Sequence, residues 1–203
     1  LGGRTGTGKT DLLKEFKKKG LHIVDLEGLA NHRGSSFGAL GLSEQPSTEH
    51  FENLLAEELQ NFQTIPSKEI WLEAESANLG RCRIPEALFK QMKDAPLLEI
   101  SRPLEERVNQ LIKVYSQYGE EALHEATVRI SRRLGPQRTK DALNALSLHK
   151  WDQACLAMLD YYDRCYDHEL TRTLHKESID ISSLSPVEAT EILIEKGVIS
   201  KHD

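Results

Sequence analysis

The first ten residues contain the pattern GxxxxGKT, which restricts the fold more than any other part of the chain. Gly3, Gly8, Lys9 and Thr10 occupy its fixed positions. In such a P-loop, glycines let backbone N–H groups wrap a phosphate at a helix N-terminus, the lysine reaches the outer phosphates and the threonine hydroxyl binds Mg²⁺. We therefore predict a catalytic role for Lys9, a Mg²⁺ ligand in Thr10, and phosphate binding by the whole loop, namely Gly3, Arg4, Thr5, Gly6, Thr7, Gly8, Lys9 and Thr10.

Apolar segments that alternate with helical patterns indicate the fold class. Residues 21–26, 70–72 and 96–100 have the composition of short buried strands. Amphipathic helices are predicted over residues 10–19 and 48–63, and a further helix begins near Pro85. The alternation predicts an α/β fold of the P-loop NTPase type, with a parallel sheet and helices on both of its faces.

The pattern changes to helices alone after residue 102, which suggests a division of the chain. We predict a P-loop α/β core over 1–102, an all-helical insertion over 103–174, and a strand and helix over 175–203 that return to the core. Ser185 and Glu188 form a capping-box pattern at the start of that last helix.

Two glutamates follow the second predicted strand. Glu73 comes directly after the apolar residues 70–72, and Glu75 lies two positions further on. Parallel α/β sheets bind ligands at the carboxyl ends of their strands, and alternate residues of an extended segment point to the same side. We predict that Glu73 and Glu75 are catalytic and that Glu73 binds Mg²⁺ together with Thr10. The alternative is a pair of solvated carboxylates at a strand end.

A glycine-rich loop after the first strand carries groups suited to an anionic substrate. It contains a cation, two hydroxyls and an aromatic ring, and we predict substrate contacts from His32, Arg33, Gly34, Ser35 and Ser36. The alternative is a mobile glycine loop with Phe37 in the core.

Two further groups of basic residues suggest anion binding. Arg81, Arg83 and Arg102 follow predicted strands and are assigned here to the substrate. A second group, with no acidic residue within it, consists of Arg129, Arg132, Arg133, Arg138 and Lys140. We predict that it contacts tRNA or forms a phosphate lid. The alternative is a solvated helix face.

Composition excludes several classes of protein. The 32 acidic residues outnumber the 26 basic ones, and a net charge of -6 argues against a uniformly basic nucleic-acid-coating protein. Cys82, Cys155 and Cys165 fit neither a disulfide framework nor a zinc site, and no apolar run reaches the ~18 residues of a membrane span. We expect a cytoplasmic protein with no membrane contact. Because a P-loop normally follows a buried strand, we also expect residues before Leu1.

The loop sequence resembles that of a known family. The segment DLEGLANHRGSSFG from Asp25 to Gly38, placed shortly after GGRTGTGKT, closely resembles bacterial tRNA 2-selenouridine synthase, and weaker matches follow at residues 73–76, 80–85, 102–107 and 132–135. The resemblance implies a transferase that replaces the sulfur of wobble 2-thiouridine with selenium from selenophosphate, by way of S-geranylation with geranyl diphosphate. It also implies that Asp25 belongs to the substrate site.

The same resemblance implies an N-terminal rhodanese-like domain with a reactive cysteine, which is absent from this chain. The three cysteines do not match the context of that cysteine, so we expect them to be structural.

Two other functions stay open at this stage. A small-molecule or nucleoside kinase also combines a P-loop with an arginine-bearing helical lid. A non-catalytic, nucleotide-gated RNA-binding module would use the basic residues without needing Glu73. The HRGSSFG loop favours the synthase, but the sequence does not decide whether the P-loop binds geranyl diphosphate, selenophosphate or a nucleotide.

Overall fold

The computed structural model describes residues 1–62, 69–170 and 176–199. Its strands, in chain order, are β1 (His22–Ile23), β2 (Ile70–Trp71), β3 (Asn78–Leu79), β4 (Cys82–Arg83), β5 (Leu97–Ser101) and β6 (Lys176–Asp180). Its α-helices are α1 (Lys9–Lys18), α2 (Leu26–Ala30), α3 (Thr48–Gln60), α4 (Glu86–Asp94), α5 (Leu104–Tyr115), α6 (Gly119–Arg129), α7 (Ser131–Leu134), α8 (Pro136–Ser147), α9 (Trp151–Leu170) and α10 (Pro186–Glu195).

Parallel pairing joins the strands on either side of the P-loop. β1 pairs with β2, and β5 pairs with β6, both in parallel. Leu1 and Gly2 lie between the two pairs: the Leu1 carbonyl accepts from the N–H of Ala74 at 2.8 Å, and the Gly2 N–H donates to the Leu98 carbonyl at 2.7 Å. The order is therefore β1, β2, residues 1–2, β5, β6, which places the P-loop at the centre of the sheet.

Helices cover both faces of this sheet, as the sequence predicted. Side chains alternate between the faces, so Ile23 packs on one side and Val24 on the other. The first side is covered by α1 and α10, and the second by α2, α3 and α4. The α/β fold class is confirmed.

The first predicted strand is shorter than expected because a helix begins inside it. Only His22 and Ile23 pair with β2. The Asp25 carboxylate then accepts a hydrogen bond from the Gly28 N–H at 2.8 Å and caps α2, which begins at Leu26. Asp25, assigned to the substrate from the family resemblance, is thus engaged in helix capping.

Several predicted boundaries agree with the structure. The helix expected over 10–19 is α1, and the strand expected over 96–100 is β5. The Ser185–Glu188 capping box is formed at the start of α10. The helix expected over 48–63 ends at Gln60, and residue 63 lies outside the described residues.

The antiparallel hairpin β3–β4 was not predicted. It turns at Gly80, whose φ of 60° at the first turn position matches a two-residue hairpin turn.

The chain from 104 to 170 contains helices only, with a short 3₁₀ turn at Ser116–Tyr118. Helices α6, α7, α8 and α9 pack around a separate apolar core that also takes in Phe37 from the glycine-rich loop. The exact domain limits of 103 and 174 stay a prediction, since residues 171–175 are not described. Among the described helices, none has the length and apolar character needed to cross a membrane.

Candidate functional site

The P-loop connects the central strand segment to α1. Gly6 shows why glycine is required there: its φ is 84°, and a Cβ at this position would lie 2.7 Å from the carbonyl oxygen of Arg107. Helix α5 therefore packs directly against the loop. The Lys9 ammonium donates to the Gly3 carbonyl at 3.0 Å and so lies over the loop.

Arginines hold the loop by its carbonyl groups. Arg107 is buried, and its Nε donates to the Thr5 carbonyl at 2.8 Å. Arg102, which we assigned to the substrate, donates to the Thr7 carbonyl at 3.0 Å and forms an ion pair with Glu106 at 2.8 Å. Its guanidinium therefore braces the loop.

Two arginine side chains connect the P-loop to helix α9. Arg107 donates through both terminal nitrogens to Asp163, at 2.9 and 2.5 Å. Arg4, predicted to bind phosphate, pairs with Asp167 at 2.8 Å, and this contact holds the pKa of Arg4 above its usual value. The position of the loop thus depends on α9.

A cluster of carboxylates lies beside the first turn of α1. One oxygen from each of Glu27, Glu73 and Glu75 lies within 4.8 Å of the others. The Thr10 hydroxyl is 2.8 Å from Glu73 and 3.3 Å from Glu27. The structure therefore brings together Thr10, Glu73 and Glu75, which the sequence assigned to one site.

Glu27 is the member of this cluster that sequence reasoning missed. It lies in the first turn of α2, four residues after β1 ends at Ile23. This is the carboxyl-terminal side of a parallel strand, where such sheets bind ligands, and that rule is the signal that could have found it.

Burial and neighbouring charge keep Glu27 protonated. Burial, followed by the negative charges of Glu73 and Glu75, raises the pKa of Glu27 from 4.5 to about 9, against the opposing effect of Lys9. The single proton of the Thr10 hydroxyl is within donating distance of both carboxylates, and the Glu73 oxygen is the nearer acceptor. Carboxylate and hydroxyl oxygens are the ligands preferred by Mg²⁺, and a bound cation would displace the proton of Glu27.

The glycine-rich loop covers this cluster. Gly34 has a φ of 61°, and a Cβ there would collide with the Glu75 carboxylate and lie 3.2 Å from that of Glu27. Three residues later Phe37 is buried, with its ring edge-on to Tyr115 at a centroid distance of 6.0 Å. The loop therefore links the carboxylates to the helical region, with Phe37 in a core, as the alternative interpretation expected.

Other side chains of the loop fix its shape. Arg33 donates to the Leu40 carbonyl at 2.8 Å and to the Tyr118 hydroxyl at 3.3 Å, so its guanidinium fastens the loop to the 3₁₀ turn. The Ser35 hydroxyl accepts from the Phe37 N–H at 3.2 Å, and Ser36 lies beside Tyr162.

His32 is buried in a narrow slot. Cβ atoms at Gly38 and Gly80 would lie 2.9 and 2.7 Å from its ring carbons. Burial lowers the pKa of His32, so the imidazole is neutral at pH 7. Its place between the loop and the β3–β4 hairpin indicates a packing role.

An apolar pocket opens next to the P-loop. Its cavity measures about 70 Å³, below the ~300–1,000 Å³ typical of ligand sites, so a prenyl chain would enter only if lining side chains moved. Polar groups at one end come from the P-loop and the glycine-rich loop, and the walls come from the helical region. The lining includes Thr5, Ser35, Phe37, Leu111, Tyr115, Leu146, Trp151, Cys155, Met158 and Tyr162.

The remaining predicted arginines lie away from these groups. Arg81 is on the β3–β4 turn, and its guanidinium donates to Glu44 at 3.1 Å and to the Pro46 carbonyl at 3.3 Å. Arg83 is exposed on β4. We find no contact between either guanidinium and the P-loop among the described residues.

The basic residues of the helical region divide into two kinds. Arg138 donates to Asp160 at 2.5 and 3.0 Å, and Arg164 pairs with the same carboxylate, so one negative charge is shared by two arginines. The others are exposed and form no ion pair with a described carboxylate: Arg129, Arg132, Arg133 and Lys140.

The cysteines are all free thiols. Cys82 is buried, Cys155 is half-buried at the pocket, and Cys165 is exposed. Burial raises the pKa of Cys155 to about 11, which makes it a poor nucleophile.

Known proteins match this chain over most of its length. The family model described as the tRNA 2-selenouridine synthase AAA domain matches residues 1–184. The chain belongs to this family. It is 38% identical to the tRNA 2-selenouridine synthase of Marinobacter nauticus, over 85% of this chain and 53% of the relative, and 37% identical to that of Sulfurovum sp., over 85% and 54%. The synthase of Salmonella arizonae is 35% identical over 85% of this chain and 55% of its own length. This member of the family thus spans about half the length of its curated relatives.

Proposed function

We propose that this domain binds geranyl diphosphate with Mg²⁺ and transfers the geranyl group to the sulfur of wobble 2-thiouridine in tRNA, as the first stage of exchange for selenium. The observation that carries the proposal is the apolar pocket, whose lining includes Thr5 of the P-loop and Ser35, the residue after Gly34, which contacts the carboxylate cluster. A prenyl diphosphate has the same two parts, an anionic head and an apolar tail. A nucleotide has no comparable apolar part.

The residues of the chain suit each end of that ligand. The P-loop N–H groups and Lys9 would hold the diphosphate, while Thr10, Glu73, Glu75 and Glu27 would hold Mg²⁺, which supplies charge neutralisation of the departing diphosphate. In the transfer, the bond from carbon to the thione sulfur forms as the bond from that carbon to the diphosphate oxygen breaks. Negative charge then collects on the diphosphate, next to Lys9.

The pocket would protect the reacting carbon from water. Phe37 and Tyr115 form an aromatic wall, and aromatic faces stabilise a carbon that develops positive charge. Release of diphosphate would leave the geranyl group on sulfur. Selenium from selenophosphate would then bond to C2 of the base as the C2–S bond breaks, the sulfur would depart with the geranyl group as geranylthiol, and hydrolysis of the Se–P bond would release phosphate.

Transfer RNA would bind through the exposed arginines of the helical region. Arg129, Arg132 and Arg133 lie at the end of α6 and on α7, and no described carboxylate pairs with them. In an acidic chain, such a concentration of unpaired cations is the surface best suited to a polyanion.

Calorimetric titration tests the ligand assignment directly. In Mg²⁺, geranyl diphosphate should bind more tightly than inorganic pyrophosphate, ATP or GTP, because only its tail is apolar along its whole length, like the pocket lining. Lys9→Ala should weaken geranyl diphosphate binding by at least ~tenfold, the effect of losing ~1.4 kcal/mol. The control is Lys14→Ala, which removes an exposed lysine of the same helix and should leave binding unchanged. Tighter binding of ATP or GTP than of geranyl diphosphate would support a kinase or a nucleotide-gated module instead.

A further inference from the structure

Two carbonyl groups of the P-loop are held by arginines that lie outside the loop. The Nε of Arg107 donates to the Thr5 carbonyl at 2.8 Å, and the Nε of Arg102 donates to the Thr7 carbonyl at 3.0 Å. Arg102 directly follows β5, and Arg107 lies in the first turns of α5. Each guanidinium therefore fixes the plane of one peptide bond in the loop, the first between residues 5 and 6 and the second between residues 7 and 8.

The same two peptide planes carry the N–H groups of Gly6 and Gly8. In a planar trans peptide the C=O and N–H bonds point in opposite directions, so each N–H points away from the guanidinium that holds its plane. No described residue accepts a hydrogen bond from either N–H. Backbone N–H groups gathered in one turn without partners form a concave site for anions. The arginines thus direct these two donors towards the place of a bound phosphate.

Nothing in the two glycines themselves prevents the peptide planes from turning over. Gly6 has a φ of 84° and Gly8 a φ of 88°. A glycine adopts negative φ about as readily as positive φ, so rotation of the preceding peptide plane meets little steric resistance from it. A rotated plane would place a carbonyl oxygen, which repels phosphate, where the N–H had been.

All three nitrogens of each guanidinium donate to groups of the protein. The two terminal nitrogens of Arg107 bind Asp163 at 2.9 and 2.5 Å. Those of Arg102 bind Glu106 at 2.8 Å and the Leu184 carbonyl at 2.7 Å. With every nitrogen engaged in this way, the two arginines act on the loop and leave the contact with phosphate to the loop itself.

We propose that Arg102 and Arg107 are positioning residues for phosphate binding, which hold two carbonyl groups of the P-loop outward so that the N–H groups behind them stay directed at the anion. The inference rests on that part of the proposed function which places a diphosphate at the P-loop, and it adds the residues that prepare the loop. Donors that are oriented before the anion arrives need no rearrangement when it binds.

Titration with inorganic pyrophosphate in Mg²⁺ measures the effect on the loop alone, because this ligand has no tail. Arg102→Met should weaken binding at least ~tenfold, since it removes a hydrogen bond from a charged donor, and the apparent affinity falls with the fraction of loops that keep the competent orientation. The control is Arg164→Met. It removes an exposed arginine of α9 that pairs with Asp160, and it should leave pyrophosphate binding unchanged.

Nuclear magnetic resonance of the ligand-free chain separates positioning from simple attraction between charges. With glycine labelled by ¹⁵N, the amide signal of Gly8 in Arg102→Met should show exchange between two environments on the μs–ms timescale, and pyrophosphate should suppress this exchange. The wild type and Arg164→Met should show no such exchange. An arginine that acted through its charge alone would weaken binding without changing the Gly8 signal of the ligand-free chain.

A second variant tests the other arginine. Arg107→Met combined with Asp163→Leu removes both charges of a buried pair together, which proteins often tolerate. It should weaken pyrophosphate at least ~tenfold and produce the exchange at Gly6 instead of Gly8. Thermal melting checks that each variant is folded, and this double variant decides the question if Arg102→Met does not fold.

The outcomes separate the two proposals. If the folded variants bind pyrophosphate as the wild type does, or bind it more weakly without exchange at the following glycine, the positioning role is refuted while the proposed function stands. If the variants behave as expected but geranyl diphosphate binds the wild type no better than pyrophosphate, only the proposed function fails. If the wild-type chain binds no pyrophosphate in Mg²⁺, both fail.

Discussion

Substitution of Glu27 by glutamine gives a direct test of the carboxylate cluster. The pKa of Glu27 is raised to about 9 in the folded chain, whereas an unfolded chain has the ordinary value of 4.5. Between these two values the native state keeps a proton that the unfolded state has lost. Stability must therefore decrease as pH rises through this window.

The size of the effect follows from the proton difference. One proton contributes up to ~1.4 kcal/mol per pH unit, so from pH 6 to pH 8 the wild-type chain should lose up to ~2.7 kcal/mol of unfolding free energy from this group alone. Glutamine is a neutral isostere of the protonated acid. Glu27→Gln does not undergo this loss, so its stability advantage over the wild type should grow by up to ~2.7 kcal/mol between pH 6 and pH 8.

Urea unfolding at pH 6, 7 and 8 in EDTA measures the difference. Glu52→Gln, at an exposed position of α3, is the control and should run parallel to the wild type. Added Mg²⁺ should stabilise the wild type, most at pH 8, because the cation competes with the proton. If the unfolding free energies of the wild type and Glu27→Gln change equally between pH 6 and pH 8, the raised pKa of Glu27 is refuted.

Three further predictions concern other parts of the site. Thr10→Val should remove the Mg²⁺ dependence of diphosphate binding without unfolding the chain, since it deletes only one partly buried hydroxyl. Titrations of diphosphate with and without Mg²⁺ would measure this dependence. If Mg²⁺ affects binding as in the wild type, Thr10 is not a ligand of the cation. Gly34→Ala should destabilise the chain by ~1–2 kcal/mol, because Gly34 has a left-handed backbone conformation. It should also weaken Mg²⁺ binding by displacing Glu75. Thermal melts and Mg²⁺ titrations would measure the two effects, and wild-type values in both would contradict the position of the loop. Arg132→Ala should reduce the slope of log affinity for tRNA against log salt by about one unit. Arg138→Ala should reduce it less, because that guanidinium pairs with Asp160. If filter-binding assays give both variants the wild-type slope, the tRNA binds elsewhere.

Local chemistry explains what the sequence predicted correctly. The P-loop and the Ser185 cap depend on contacts a few residues apart, so their spacing is sufficient to recognise them. The meeting of Thr10 with Glu73, 63 positions away, followed from a general property of parallel sheets. Glu27 was missed because the sequence predicted a loop after residue 26, whereas a helix begins there and turns Glu27 towards the cluster.

The direction of long side chains could not be predicted in this way. Arg102 lies at a strand end, where an anion contact is reasonable, yet its acceptors include the Thr7 and Leu184 carbonyls, 95 and 82 positions away. Arg33 likewise turns towards Tyr118, 85 positions away. Only the packed structure shows which acceptors come within reach of a guanidinium, and in both cases these are groups of the protein.

The ion pair between Arg107 and Asp163 has a consequence for turnover. It joins the P-loop to helix α9. Under the proposed function the loop would hold the head of the substrate and the helix its tail, so the two halves would bind as one bivalent ligand at high effective concentration. Cleavage of the carbon–oxygen bond would make that ligand monovalent, and the diphosphate, left with only the contacts of its own half, would leave the P-loop more easily once the reaction is complete.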